Sequence, residues 1–592
     1  MSLGPRSPGG AAVGTVHGAP GGLPRLLRAG LAAAFIVAAL FVAAASVIGT
    51  VRLHAAIPFW DAWDGIVDFY LRVRDGDGSA WWAQHNEHRV GISRLFFWAD
   101  LRWFGGGGVL PITLNFAQVA LTAWLFWRML REQTGTPRAT PAEWVLGSTL
   151  AAWLSLWVQQ ENLTSPFQVQ FILTFVLPLA ALYALHRAAA VPGARGRFAL
   201  ACGLGAASLG TMANGILALP AMTAHALLTR QNARRVMVLA VLSVAVAAIY
   251  LHGYQRPPAQ GSMLSAMRDS PLGLVRYVLL YLGGPFYHLA GRPAIGLPLA
   301  YVAGGVFVVA TLGATLAALR AGGAGRTASL RWALLAFIGY VGATAVVTAG
   351  GRLLLGVEQA LAWRYATPAL MAWAALIVLL VPPRLARAGG RLRPALVLPC
   401  ALAMAVMVWA QAPVLRVPRE GAAMRSIGAL AIALDVRDPK SLGLLYPDPV
   451  RVLALGRRLV DAELSVFGAE PFTGMRRRLG QTAAPAPARV CIGVVDAAER
   501  IDGEPRFVRV GGWIFDARDG VLPRSVDLAG GEGRVLGQAL TGLRRAEAEA
   551  QAGRPARYAG FQGYLPIGQV GEVVVLSAPG LACRLEARIV LR

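Results

Sequence analysis

Two carboxylates three residues apart, Asp61 and Asp64, lie in the aromatic stretch Pro58-Phe59-Trp60-Asp61-Ala62-Trp63-Asp64, with Asp68 following. On a helical turn that spacing puts both acids on one face, where they can present a carboxylate pair to a cleft. Neighbouring carboxylates at a partly dry interface have their proton affinities pushed apart, which leaves one able to act as a general base. Downstream, Gln84 precedes His85-Asn86-Glu87-His88-Arg89. A metalloprotease helix needs histidines four apart with Glu next to the first. Here the spacing is three and the Glu precedes the second His, so no metal ligands are assigned; a divalent ion shared by Asp61 or Asp64 and a His stays an alternative. The plainer reading is a polar helix start before the apolar stretch 90–104, although five consecutive hydrogen-bonding residues exceed what capping requires. Trp60, Trp63, Trp81 and Trp82 suit an interfacial aromatic belt, and equally stacking on sugar faces.

Further polar groups fall where apolar runs end: Glu161 and Asn162, Gln168, Asn214, Arg352, Glu358, and the pair Arg364-Tyr365. Each alone reads as a satisfied interfacial side chain. Gathered at one membrane surface, they form a candidate substrate-binding set. The sequence carries no Walker loop, no strand-coupled Gly-x-Gly-x-x-Gly, no Gly-x-Ser-x-Gly elbow and no kinase motifs, so nucleotide-driven chemistry is not indicated.

The elements that must position these residues are set by composition. Of 592 residues, 56% are hydrophobic and 15% charged, with a mean hydropathy of +0.53. That excludes an ordinary soluble enzyme, a disordered scaffold and a disulfide-rich toxin, and leaves a mainly α polytopic membrane protein. The 56 Lys+Arg against 31 Asp+Glu give a formal +25. Most of the bases are Arg in short loops between apolar runs, so the excess reads as topology rather than nucleic-acid binding.

After a Gly/Pro-rich cytoplasmic tail, 1–24, the run 29–48 makes a retained first span. Further spans are expected near 108–130, 141–159, 167–187, 236–252, 294–319, 332–349, 366–381 and 395–412. Arginines flank 198–229 on both sides, which predicts two shorter helices meeting outside at Ala213-Asn214-Gly215. The run 271–290 reads as a helix lying on the outer interface. The total is eleven spans, with the amino terminus inside and the carboxyl terminus outside. The domain division is 25–412 for the membrane bundle, with 51–107 as its first outer loop, 413–488 for a helical segment and linker, and 489–592 for a small β-sandwich. Cys491 and Cys583 bracket that β module. On an oxidising face they are candidates for a disulfide, the alternative being two unpaired buried thiols.

These features resemble the GT-C superfamily of polytopic glycosyltransferases, which use polyprenyl-phosphate-linked sugars. The resemblance rests on the acidic motif after the first span (Asp61, Asp64), the polar motif Gln84–Arg89, the helical pair with its apex at Gly210–Gly215, Arg364-Tyr365 before a late span, and the carboxyl-terminal domain. More narrowly, the chain is similar to bacterial membrane proteins carrying Asp-x-Trp, His-Asn-Glu-His-Arg and Pro-Phe-Gln-Val-Gln, here Pro166–Gln170. It differs from better-known members in having His85–Arg89 where many carry a His-Pro-Pro type sequence. The resemblance implies inverting transfer at the outer face of a bacterial inner membrane to a glycan, lipid or protein acceptor, with Asp61, or Asp64 as alternate, the base. Arg364, Arg89 or a His would meet the departing phosphate charge. A transporter or lipid-linked glycan flippase is the alternative, although the halves show no internal repeat. A non-catalytic scaffold whose β module binds a glycan or protein is a third reading.

Overall fold

The computed structural model describes residues 25–189, 193–257, 261–321, 325–383, 394–483, 487, 489–578 and 580–592. The expected tail 1–24, the arginine-bearing connection 384–393, and parts of the connections 187–197 and 320–331 and of the linker 481–488 lie outside them.

Among the described residues, eight helices are long and apolar enough to cross a membrane: Leu26–Leu53, Val109–Thr134, Pro166–Ala189, Ala233–Leu251, Pro293–Ala321, Arg326–Leu355, Trp363–Leu380 and Ala395–Arg416. At about 1.5 Å rise per residue each reaches close to or beyond the roughly 30 Å of a hydrocarbon layer. Their outward faces are apolar, with Val241, Val244, Val302, Val309 and Leu402 exposed, as contact with lipid tails requires. At one end of the bundle the Glu132 carboxylate accepts from His186 at 3.0 Å, Arg187 at 3.1 Å and Arg326 at 2.6 Å. This network pins the ends of three helices at one level, leaving the polar loops at the opposite end.

Three of the eleven expected spans are short helices. Pro141–Leu154 starts on a Thr140–Glu143 capping box and stops where Gln159 Nε2 bonds the Leu154 carbonyl at 2.6 Å, turning the chain into the short helix Gln160–Thr164. The expected pair in 198–229 is Arg195–Ala207 and Ala218–Leu228, of 13 and 11 residues, joined by 3-10 turns. Its apex does not stand free, because Asn214 bonds the Tyr340 and Thr344 hydroxyls at 3.2 and 3.4 Å inside the bundle. The helix Pro271–Ala290 also departs from expectation. It is no isolated surface helix but half of an antiparallel hairpin with Pro293–Ala321, and Tyr277 and Leu280–Pro285 are buried. Glycines let the two backbones meet: a Cβ on Gly283 would lie 1.9 Å from the Ala300 carbonyl oxygen, and one on Gly304 2.1 Å from that of Leu279.

Beyond the bundle, the helices Glu420–Ala433 and Pro449–Asp461 bury Leu430, Ile432, Val452 and Leu459 in one core with Trp63, Phe69, Phe97 and Leu101 of the first long loop. The carboxyl-terminal module is not the expected sandwich. Its strands β1 (Ile492–Val495), β2 (Glu499–Ile501), β3 (Glu504–Phe515), β4 (Ser525–Ala529), β5 (Val535–Leu543), β6 (Gly560–Pro566), β7 (Val573–Ser577) and β8 (Leu585–Arg588) form one antiparallel sheet in the order β1-β3-β6-β5-β4-β7-β8, with β2 on β3. The sheet curls until its ends meet through bridges Val490 to Arg584 and Ala498 to Leu591, giving a barrel-like module. A disulfide joins Cys491 to Cys583 at this seam, while Cys202 and Cys400 are free thiols. The helical segment is locked to the barrel by the buried Asp438 carboxylate, which accepts from Arg509 at 2.6 Å and Tyr564 at 2.7 Å.

Candidate functional site

The turn carrying the two acids is built against its own sequence preference. Trp60 takes a left-handed conformation, φ 50°, fixed by its N–H donating to the Leu445 carbonyl at 2.8 Å. A non-glycine residue there costs roughly 1 kcal/mol, held by the surrounding packing. The chain then winds as a π-type turn over Trp63–Asp68, with Trp63 fully buried. Gly65 allows Phe167 to lie on this turn, since a Cβ would sit 2.1 Å from the ring.

The consequence is that Asp61 and Asp64 do not form the expected carboxylate pair. Asp61 lines a cavity of about 390 Å³ between the first loop and the bundle. Most of that wall is apolar, from Phe59, Trp60, Pro111 and Phe167, with Gly106–Gly108 on one side. The glycine strip is held by Asp100, whose carboxylate accepts from the Gly108 and Leu110 N–H groups at 2.8 and 3.1 Å. Across the cavity stand Glu161, Gln168 and Arg364. Arg364 Nη1 donates to Glu161 Oε1 at 2.9 Å and its backbone N–H to Oε2 at 3.1 Å; Gln168 reaches Oε1 at 3.4 Å.

Arg425, absent from the sequence expectations, is the second cation on this wall. Its guanidinium donates to the Leu53 carbonyl at 2.6 Å and lies 5.3 Å from the Phe59 ring centroid. Among the described residues it has no ion-pair acid, and burial lowers its proton affinity. Its position in a charged amphipathic segment gave no signal, because only the docking of Glu420–Ala433 onto the first loop brings it to the cavity.

Asp64 faces a different, polar cavity of about 280 Å³ together with Asp68, His85 and Asn86. It is engaged by the Tyr446 hydroxyl and by Arg451 Nε at 2.6 Å, and Arg451 also approaches Asp68 at 3.6 Å. Burial and the adjacent Asp64 push the Tyr446 phenol up to about 12. Asp64 is thus held as a charge partner, which argues against it as alternate base. The segment Leu445–Arg451 was likewise missed, although Asp448-Pro449 is a legible helix start whose carboxylate accepts from Val450 and Arg451 N–H groups.

The His85–Arg89 run is a tight turn that leads directly into the helix Gly91–Trp103, as the plainer reading expects. His85 and His88 exchange both backbone hydrogen bonds at 2.8 Å, with Asn86 at φ 47°. His85 is nine-tenths buried, and its ring packs edge-on to Phe167 at 5.0 Å. Burial lowers its proton affinity, partly opposed by Asp61 and Asp64. His88 Nδ1 accepts from the Ala213 N–H at 3.1 Å, and burial brings its pKa down to about 4. Glu87 pairs with Arg352 at 2.9 Å. Burial works to raise its carboxyl, but His88 and Arg352 outweigh that and hold it below the usual range.

Several expected ligand-binding residues are therefore joints of the fold. Arg89 donates to the carbonyls of Trp82, Tyr250 and His252 at 2.8, 3.0 and 2.7 Å and is buried, so it is not placed to meet a phosphate. Asn162, fully buried, ties the Arg364 carbonyl and Thr367 hydroxyl at 2.7 and 2.6 Å. Tyr365 is buried against Phe171 and Tyr281 beneath the cavity. Asn214, Arg352, Glu87 and His88 line neither cavity, and Glu358 is exposed on a 3-10 turn away from both. Among the described residues no group of three or more His, Cys, Asp and Glu gathers as a metal cluster. No protein-family model matches the chain, and no curated protein matches it.

Proposed function

We propose that the chain is a membrane glycosyltransferase that moves a sugar from a polyprenyl-phosphate-linked donor to an acceptor at the outer face of a bacterial inner membrane. The observation that carries this reading is the placing of Asp61 in one largely apolar cavity with two guanidiniums, Arg364 and Arg425. An apolar wall suits the first prenyl units and the cations suit a phosphate, so the cavity matches an amphiphilic anion. Asp61 takes the proton of the acceptor hydroxyl as its oxygen attacks the anomeric carbon. The bond from that carbon to the phosphate oxygen breaks, configuration inverts, and the electron pair leaves on the lipid phosphate. Arg364 and Arg425 face the charge that grows there, in a partly dry site where such interactions are strong. Glu161 and Tyr365 orient Arg364 on the cavity wall beside the phosphate.

The test is release of labelled sugar from polyprenyl-phosphate donors by the full chain in lipid nanodiscs, together with the glycan profile of a host lacking its own copy. Asp61→Asn is expected to abolish transfer and leave donor binding intact. Full restoration of the glycan by Asp61→Asn would dismiss the base. Donor movement across vesicles without any transfer would favour the flippase instead.

A further inference from the structure

The polar cavity behind His85 has no part in the chemistry proposed above, yet its composition is selective. Apart from Phe69, every side chain on its wall carries hydrogen-bonding groups: carboxylates from Asp64 and Asp68, amides from Gln84 and Asn86, and guanidiniums from Arg72, Arg94 and Arg451, with the His85 ring. Such a wall repels an alkyl or prenyl chain. Its cations are largely answered: Arg451 by Asp64 and Asp68, and Arg72 by Asp77 at 2.6 Å. A polyanion would find little unbalanced positive charge, and a polycation no spare acid. Arg94 is 3% exposed and gives Nη1 to the carbonyls of Trp81 and Ala83 at 3.2 and 2.7 Å, while its buried Nε has no hydrogen-bond partner.

The cavity is also rigid and adjacent to the first. Gln84 is fixed by bonds to the Asn86 and Gln255 carbonyls, both 2.6 Å. His85 lines the polar cavity and touches Phe167, which lines the apolar one, so these two rings are the partition between them. Asp61 and Asp64 stand on the two sides of that partition, one turn apart. Alternating donors and acceptors held before the ligand arrives are what multiply hydroxylated molecules need.

We infer that this polar cavity is the acceptor subsite and that it takes a neutral saccharide, whose nucleophilic hydroxyl reaches Asp61 past the His85–Phe167 partition. The inference rests on the glycosyl-transfer reading, but binding tests it without turnover. The experiment is saturation-transfer-difference NMR on the full chain in nanodiscs, with methyl glycosides of glucose, galactose and mannose as probes and glycerol 3-phosphate as the anionic comparison. At least one neutral glycoside is expected to receive saturation, with affinity falling tenfold or more in Asp68→Asn and in Asn86→Gly. The glycine keeps the left-handed turn while removing the amide, and both variants should elute as the unaltered protein does. Glu532→Gln, exposed on the barrel and lining neither cavity, should bind the glycoside unchanged. Binding by none of the glycosides, equal binding by both polar-cavity variants, or preference for glycerol 3-phosphate overturns the subsite. Donor cleavage by the same preparations is read separately: if it persists in Asp61→Asn, the transfer mechanism fails even where the glycoside binds.

Discussion

At the scale of single residues, Asp61 and Asp64 have different surroundings and should have different mutational costs. Removing a general base costs about 10²- to 10⁴-fold, so Asp61→Asn is expected to lower sugar release by at least about 100-fold. Asp64→Asn, which loosens Tyr446 and Arg451, should cost less and show mainly in acceptor dependence. Arg89→Met should act on stability instead. It strands three carbonyls, a loss of about 1–3 kcal/mol per unpaired buried group, and is expected to lower the thermal midpoint while surviving protein keeps its donor affinity. The acids, the histidine turn and Arg364 were all legible as a polar set. Their division into cavity and joint was not, because it depends on which carbonyls lie opposite: Arg89 meets the end of Ala233–Leu251, far away in sequence.

At the scale of elements, the hairpin of Pro271–Ala290 with Pro293–Ala321 depends on glycine at its two closest approaches. Gly283→Leu or Gly304→Leu would force the backbones apart, and the expected outcome is aggregation on size exclusion; Gly284→Ala, whose Cβ would meet nothing within 4 Å, should elute normally. Hydropathy located the long helices because a run of apolar residues must match the bilayer. It overran the helix in 141–159, and the loop charges that laid 271–290 on the outer interface did not show its hairpin partner. A side-chain amide, Gln159, ends the first helix early, and Arg276 and the Gly-Gly-Pro interruption in the second mark a packing contact as readily as a surface position. In the tail, alternation identified strands but could not distinguish two sheets from one sheet whose edges join.

At the scale of the whole molecule, the barrel is bound to the helical segment through carboxylates. Burial would raise the Asp438 carboxyl, but Arg509, Ser441 and Tyr564 together hold it below the usual range. Arg506 above all holds Glu504 at about 2, with the Arg437 N–H also contributing. Groups with depressed folded values stabilise fully above their unfolded values, near 4, and lose that contribution as pH falls through the folded ones. The hydrogen-exchange protection factors over Leu430–Val436, referred to the intrinsic rate at each pH, should therefore be constant from pH 7 to about 5 and fall steeply between about pH 4 and 2. Under denaturing, non-reducing conditions two free thiols are expected, Cys202 and Cys400, and a count of four would remove the seam disulfide. Cys491→Ser with Cys583→Ser should destabilise the barrel by about 2–5 kcal/mol in denaturant titration.

Asp438 grips the barrel and Arg451, one short helical stretch later, grips the acidic turn. Biosynthesis is vectorial, and the strand that completes the barrel, β8, lies at 585–588. A nascent copy still on the ribosome, or one awaiting oxidation, would lack the buttress for Asp64. Such a copy would hold the acidic turn slack until β8 emerged, and a chain truncated at 488 should accordingly insert into membranes with the weakened acceptor dependence expected of Asp64→Asn.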